Sequence, residues 1–185
     1  IFYSCQTKSS SNEVVGEVDT KNLYYEKASE LLGENKLDSS FIYFDLAHDK
    51  FLQQGDSLNA ATCLIQMAIT LYMEGDYYGS QETSIEADKL IDKSVKTNFP
   101  LLSFNYNNLG NVISSYGDHK TAITYYDLAI QYAANPADYN SYLNNKAITL
   151  TYMQEYEEAN AIYSSILNTK FSSDTEYART LSNYA

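Results

Sequence analysis

The stretch NNLGNVISSYGDHKTAITYYDLAI, residues 107–130, holds two apolar-periodic runs joined by Gly117-Asp118. Small residues stand at Gly110, Ala122 and Ala129, and an aromatic, Tyr126, lies between the last two. Apolar residues at helical spacing on both sides of a Gly-Asp pair predict a helix, a tight turn and a second helix. Glycine tolerates the left-handed backbone such a turn needs, and aspartate caps the helix that follows. Two helices approach to roughly 8–10 Å only where the contact residues are small. Gly110, Ala122 and Ala129 are the expected contacts.

The same frame recurs along the chain. Gly110, Ile113, Ala122 and Tyr126 repeat 37 residues later as Ala147, Leu150, Ala159 and Tyr163. Moved 42 residues toward the N-terminus, it meets Ala68, Leu71, Gly75, Ser80, Ser84 and Ala87; 40 residues further back it meets Ala28, Leu31, Ser40, Phe44 and Ala47. Four units emerge, and a fifth begins at YARTLSNYA, residues 177–185, so the array is expected to continue beyond Ala185. A single helix pair cannot bury its own apolar stripe, and the core must come from stacking. Tyr106, Tyr116 and Tyr126 are expected in the wedges between units. Gly75-Asp76 and GENKLD, residues 33–38, supply the equivalent turns.

These positions resemble the tetratricopeptide repeat family. In residues 107–130 the resemblance rests on Leu109-Gly110, Gly117-Asp118, Ala122-Ile123, Tyr125-Tyr126 and Ala129. The next unit keeps Ala147, Ala159 and Tyr163 but carries Ile166 where the motif has alanine, and Pro136 only approximates the signature proline. Spacings of 37–42 exceed the family's usual 34 or so, which predicts longer second helices or loops. The resemblance implies an all-α, right-handed superhelical solenoid of antiparallel helix pairs over residues 21–185. In that family the first helices line a concave groove that takes a protein or an extended peptide.

Carried over residue by residue, the expected groove is Ile65, Gln66, Ile69, Tyr72 and Met73 in unit two. Unit three offers Asn107, Asn108, Asn111, Ser114 and Ser115; unit four offers Asn144, Asn145, Ile148, Thr151 and Tyr152; Arg179 and Asn183 follow. Gln66, Asn108, Asn145 and Asn183 share one register. An amide both donates and accepts, so this ladder either holds a peptide backbone or braces helix to helix. Some family members clamp a terminal carboxylate with Lys, Asn and Arg. Here Asn111, Asn145 and Arg179 match, but Asn107 and Asn183 replace cations, which argues against a carboxylate-ended ligand.

Composition bounds the remaining readings. The 185-residue chain is 44% hydrophobic with 19 Tyr, no Trp and 2 Pro, which suits a helical globular protein. Its net charge of −12 and lack of a basic run argue against nucleic acid as a partner. His48 and His119 lie two units apart, no metal-ligand spacing or phosphate loop occurs, and no cofactor is expected. The carboxylates Glu155, Glu157 and Glu158 read as helix-start solvation. No catalytic residue is expected. Cys63, in the apolar run ATCLIQMAITLYM, reads as a buried thiol.

The opening IFYSCQTKSSSNEVVGEVDT has no initiator Met. Apolar residues, a small Ser4, Cys5 and a Ser-rich stretch resemble the end of a bacterial lipoprotein signal. Residues 1–20 are therefore expected to be a signal remnant and tether, with Cys5 lipidated and the array outside the cytoplasm. Two further expectations stand beside a non-catalytic scaffold. One is the extracytoplasmic sensor part of a longer signalling protein, the other a docking arm for a downstream envelope enzyme.

Overall fold

The computed structural model describes residues 22–168, 178 and 180–183. Within residues 22–168 eight α-helices pair in chain order: α1 (Leu23–Gly33) with α2 (Leu37–Gln53), α3 (Ser57–Glu74) with α4 (Tyr77–Leu90), α5 (Phe99–Ser115) with α6 (His119–Gln131), and α7 (Pro136–Tyr152) with α8 (Tyr156–Leu167). Among the described residues there is no strand. Each helix packs on the next, and the first helices of neighbouring units also touch, α3 on α5 and α5 on α7. That last set of contacts lays the first helices side by side and creates a common face.

The turns inside the four units share one backbone solution. Asn35, Gly75, Gly117 and Gln154 all take left-handed φ values, of 58°, 86°, 95° and 65°. After Asn35, Gly75 and Gln154 the next residue returns its N–H to a carbonyl five positions earlier, Lys36 to Leu31 at 2.9 Å, Asp76 to Leu71 at 2.9 Å and Glu155 to Leu150 at 3.0 Å, which closes the first helix. Asp76 and Asp118 then cap the second helix, accepting from the Gly79 and Thr121 N–H groups at 2.9 and 3.2 Å. In unit one the residue that turns is Asn35, while Gly33 ends α1. The 42-residue spacing between units two and three comes from a connection, residues 91–98, that includes a 3₁₀ turn at Lys96–Asn98.

Small residues seat the helix pairs as the sequence predicts. A Cβ on Gly110 would meet the Tyr126 ring at 2.5–2.9 Å, so glycine is what admits the ring there. Units one and two use a serine where units three and four use Ala122 and Ala159. The buried hydroxyls of Ser40 and Ser80 donate to the Ala28 and Ala68 carbonyls at 2.9 and 2.6 Å. Phe44, Ile65, Leu102, Leu109, Tyr106 and Tyr142 join a core that runs from α1 to α7, and Ala147, Leu150, Ala159 and Tyr163 form a separate cluster between α7 and α8. Tyr116 sits at a unit boundary, stacked on Tyr78 at 5.3 Å and donating to Gln81 Oε1 at 2.8 Å. Cys63 is fully buried in α3, and desolvation pushes its thiol up to about 12.

Candidate functional site

The C-terminal halves of α3, α5 and α7 border two adjoining cavities that share Tyr72 and Asn111. The larger, about 550 Å³, is lined by Ser114, Ser115 and Tyr116 of unit three, His119 and Tyr126 of α6, and Asn145, Ile148, Thr149 and Tyr152 of α7. The smaller, about 290 Å³, is walled by Ile69 and Met73 of α3, Ser80 of α4, and Asn108 and Val112 of α5. Neither lining contains Asp, Glu, Lys or Arg, although the whole chain carries a net charge of −12. A neutral cleft on an acidic protein suits an uncharged, hydrogen-bonding ligand better than an ionic one.

Hydrogen bonds hold the larger cavity in shape. The Tyr126 hydroxyl donates to Asn111 Oδ1 at 2.9 Å, and the Tyr72 and Ser115 hydroxyls lie 3.1 Å apart across the boundary between units two and three. Ser114 Oγ lies 3.2 Å from Thr149 Oγ1 and 3.3 Å from His119 Nδ1. The His119 ring stacks on Tyr152 at 5.7 Å. Burial pushes the Tyr126 phenol up to about 12, so it stays a neutral donor across the physiological range. Neighbouring Asp118 accepts from the Thr121 N–H at the start of α6, and among the described residues no carboxylate hydrogen-bonds to His119. Among the described residues, no group of three or more His, Cys, Asp or Glu could hold a metal ion.

Several expected groove residues border these cavities: Ile69, Tyr72, Met73, Asn108, Asn111, Ser114, Ser115, Asn145, Ile148 and Tyr152. Ile65, Gln66, Asn107, Asn144 and Thr151 line neither cavity. Ile65 has no exposed surface and belongs to the core, because the stacking of units one and three on α3 closes over it. Asn107 and Asn144 are only 8% and 2% exposed. Their carbonyl oxygens accept from the next unit, Asn145 Nδ2 to Asn107 Oδ1 at 2.9 Å and Asn183 Nδ2 to Asn144 Oδ1 at 3.1 Å. Asn145 and Asn183 therefore brace successive first helices. Gln66 is half-buried one turn before Ile69, and Thr151 turns its hydroxyl back to the Ala147 carbonyl. Arg179 and Cys5 lie outside the described residues.

The ladder is broken at Asn108. The position that holds Asn107 and Asn144 in later units is Ile65 in unit two, so Asn108 has no side-chain acceptor one unit back. Its Nδ2 is buried and makes no hydrogen bond. His119, which lines the larger cavity, is not among the groove residues expected from the sequence. The Asp118 cap puts it at the first position of α6, where it reaches α7. A histidine directly after a capping aspartate was the only available signal.

This architecture defines a class: a tetratricopeptide-repeat-like helical solenoid. Solved structures share the fold. The apo form of the quorum sensor NprR from B. thuringiensis superposes with a TM-score of 0.76 at 18% identity, over 85% of this chain and 46% of that one. YrrB, described as a TPR protein with an unusual peptide-binding site, gives 0.61 at 17% identity over 89% and 74%. The kinesin light chain repeats of Podosopora anserina give 0.70 at 10% identity over 87% and 82%. The chain thus spans less than half the length of the NprR structure. No family model matches the sequence, and no curated protein does.

Proposed function

We propose that this array is a non-catalytic scaffold that binds an extended, uncharged stretch of polypeptide across the faces of α3, α5 and α7. One observation carries the reading: two contiguous cavities, lined by neutral amides, hydroxyls and aromatic rings, run across three units. Such a surface offers both donors and acceptors to a backbone, and aromatic faces to its side chains. The likeness to NprR, also solved in complex with its cognate peptide NprX, and to YrrB supports it. Display of a random heptapeptide library against the purified array tests it. Peptides should enrich on the native array and bind at least tenfold more weakly to the Tyr72→Ala/Tyr152→Ala variant. Equal binding to both forms removes the groove from the function.

A second reading makes the array the sensing part of a longer signalling protein, favoured by its likeness to a quorum sensor over 46% of that chain. Coding sequence beyond Ala185 that contains about 18 or more apolar residues followed by a basic helical segment would support it. Placement outside the cytoplasm through a lipid on Cys5 belongs to the same proposal and rests on residues 1–5. Incorporation of labelled palmitate that Cys5→Ala abolishes is the expected result. Among the described residues no helix is long and apolar enough to cross a membrane.

A further inference from the structure

The smaller cavity differs from the larger in chemistry. Ile69, Met73, Val112 and the Tyr72 ring give it mainly apolar walls. Asn108 borders it, and its amino group is buried with no protein atom to satisfy it. That orphan has an identifiable origin, since the two ladder amides further along, Asn145 and Asn183, spend theirs on Asn107 and Asn144, and isoleucine stands where Asn108 would need the equivalent acceptor. Unpaired buried donors are rare in native proteins because they cost free energy that any acceptor would remove. A half-turn of the carboxamide about its Cβ–Cγ bond, a soft torsion, would exchange the amino group with Oδ1 and present it to a ligand in the cavity.

Resting on the peptide-groove reading, we infer that this cavity is a specificity pocket. It takes one apolar side chain, of leucine to phenylalanine size, from an extended segment, while Asn108 Nδ2 donates to a backbone carbonyl beside that side chain. A volume of about 290 Å³ accommodates such a group together with its flanking backbone. A charged side chain there would be desolvated with no counter-charge in the lining. The pocket thus chooses the side chain and the broken ladder holds the backbone.

A library of random heptapeptides with acetylated and amidated ends, selected on the native array, on Met73→Trp and on Asn108→Ala, tests this. Met73 is half exposed, so tryptophan there closes the pocket mouth without disturbing the core. Native selections should favour apolar residues about tenfold or more at one fixed position. Met73→Trp should erase that preference, and Asn108→Ala should weaken the selected peptides about five- to tenfold while leaving the preference in place. Enriched peptides with no apolar position, or with one that survives Met73→Trp, overturn the pocket and leave the groove reading standing. Unchanged affinity for Asn108→Ala overturns the carbonyl contact. No enrichment on the native array removes the groove reading and this inference with it.

Discussion

Two asparagines in one register should respond oppositely to the same truncation. Asn145→Ala deletes the donor 2.9 Å from Asn107 Oδ1, an acceptor on a residue only 8% exposed. Leaving a buried acceptor unpaired costs about 1–3 kcal/mol. Because Asn145 lines the larger cavity, water can reach part of the gap, and about 1–2 kcal/mol is expected. Asn108→Ala instead removes an amino group that has no partner, so no hydrogen bond is lost and the penalty of the orphan disappears. Both variants gain the same few tenths of a kcal/mol in helix propensity on replacing asparagine with alanine. The difference between them therefore isolates the ladder. With a urea m-value of about 2 kcal/mol/M, Asn145→Ala should unfold about 0.5 M or more below Asn108→Ala, and Asn108→Ala should lie at or above the native midpoint. Coincident midpoints for the two variants would refute the claim that the ladder is bonded at one site and broken at the other.

Three further outcomes follow from the same geometry. Gly110→Ala drives a Cβ to within 2.5–2.9 Å of the Tyr126 ring and should destabilise by about 1–2 kcal/mol net of helix propensity; in a Tyr126→Leu background the loss should vanish, and a double-mutant cycle in urea reads the coupling. Gln154 holds φ 65° at the turn of unit four, where units two and three use glycine, so Gln154→Gly should raise stability by about 0.5–1 kcal/mol in thermal melts. Burial raises the Tyr126 phenol from 10.0 to about 12. Above pH 10 the unfolded chain releases that proton while the folded one keeps it, so stability present below pH 10 is lost between pH 10 and about 12. Tyr126→Phe should flatten that part of the pH profile, and an unchanged slope would count against the cause.

The repeat frame was legible because periodicity in this fold is local. Small residues at Gly110, Ala122 and Ala129 and the Gly-Asp pairs express steric rules that act within about twenty residues, and the helix pairs follow them. The turn of unit one shows the limit. Asn35 adopts the left-handed backbone that Gly33 was expected to supply, because helix propagation carries α1 through Gly33 to the register shared by the other turns. Groove membership was harder to read. Asn107 and Asn108 are adjacent, both polar and both on α5, and one turns inward while the other borders a cavity.

By itself the sequence determined the helix pairs, their number over residues 22–168 and the small contacts that seat them, since each depends on near neighbours in the chain. Tertiary structure alone decided which amides are spent inside the stack and which border the cleft. A hydrogen bond such as Asn145 to Asn107 spans a whole unit, and its existence depends on how far each pair rotates against the next, a quantity no local pattern encodes. The neutrality of the cleft is likewise a product of assembly. The charged residues of a strongly acidic chain are turned elsewhere once the first helices lie side by side, and tyrosine, asparagine and serine are left to meet whatever binds.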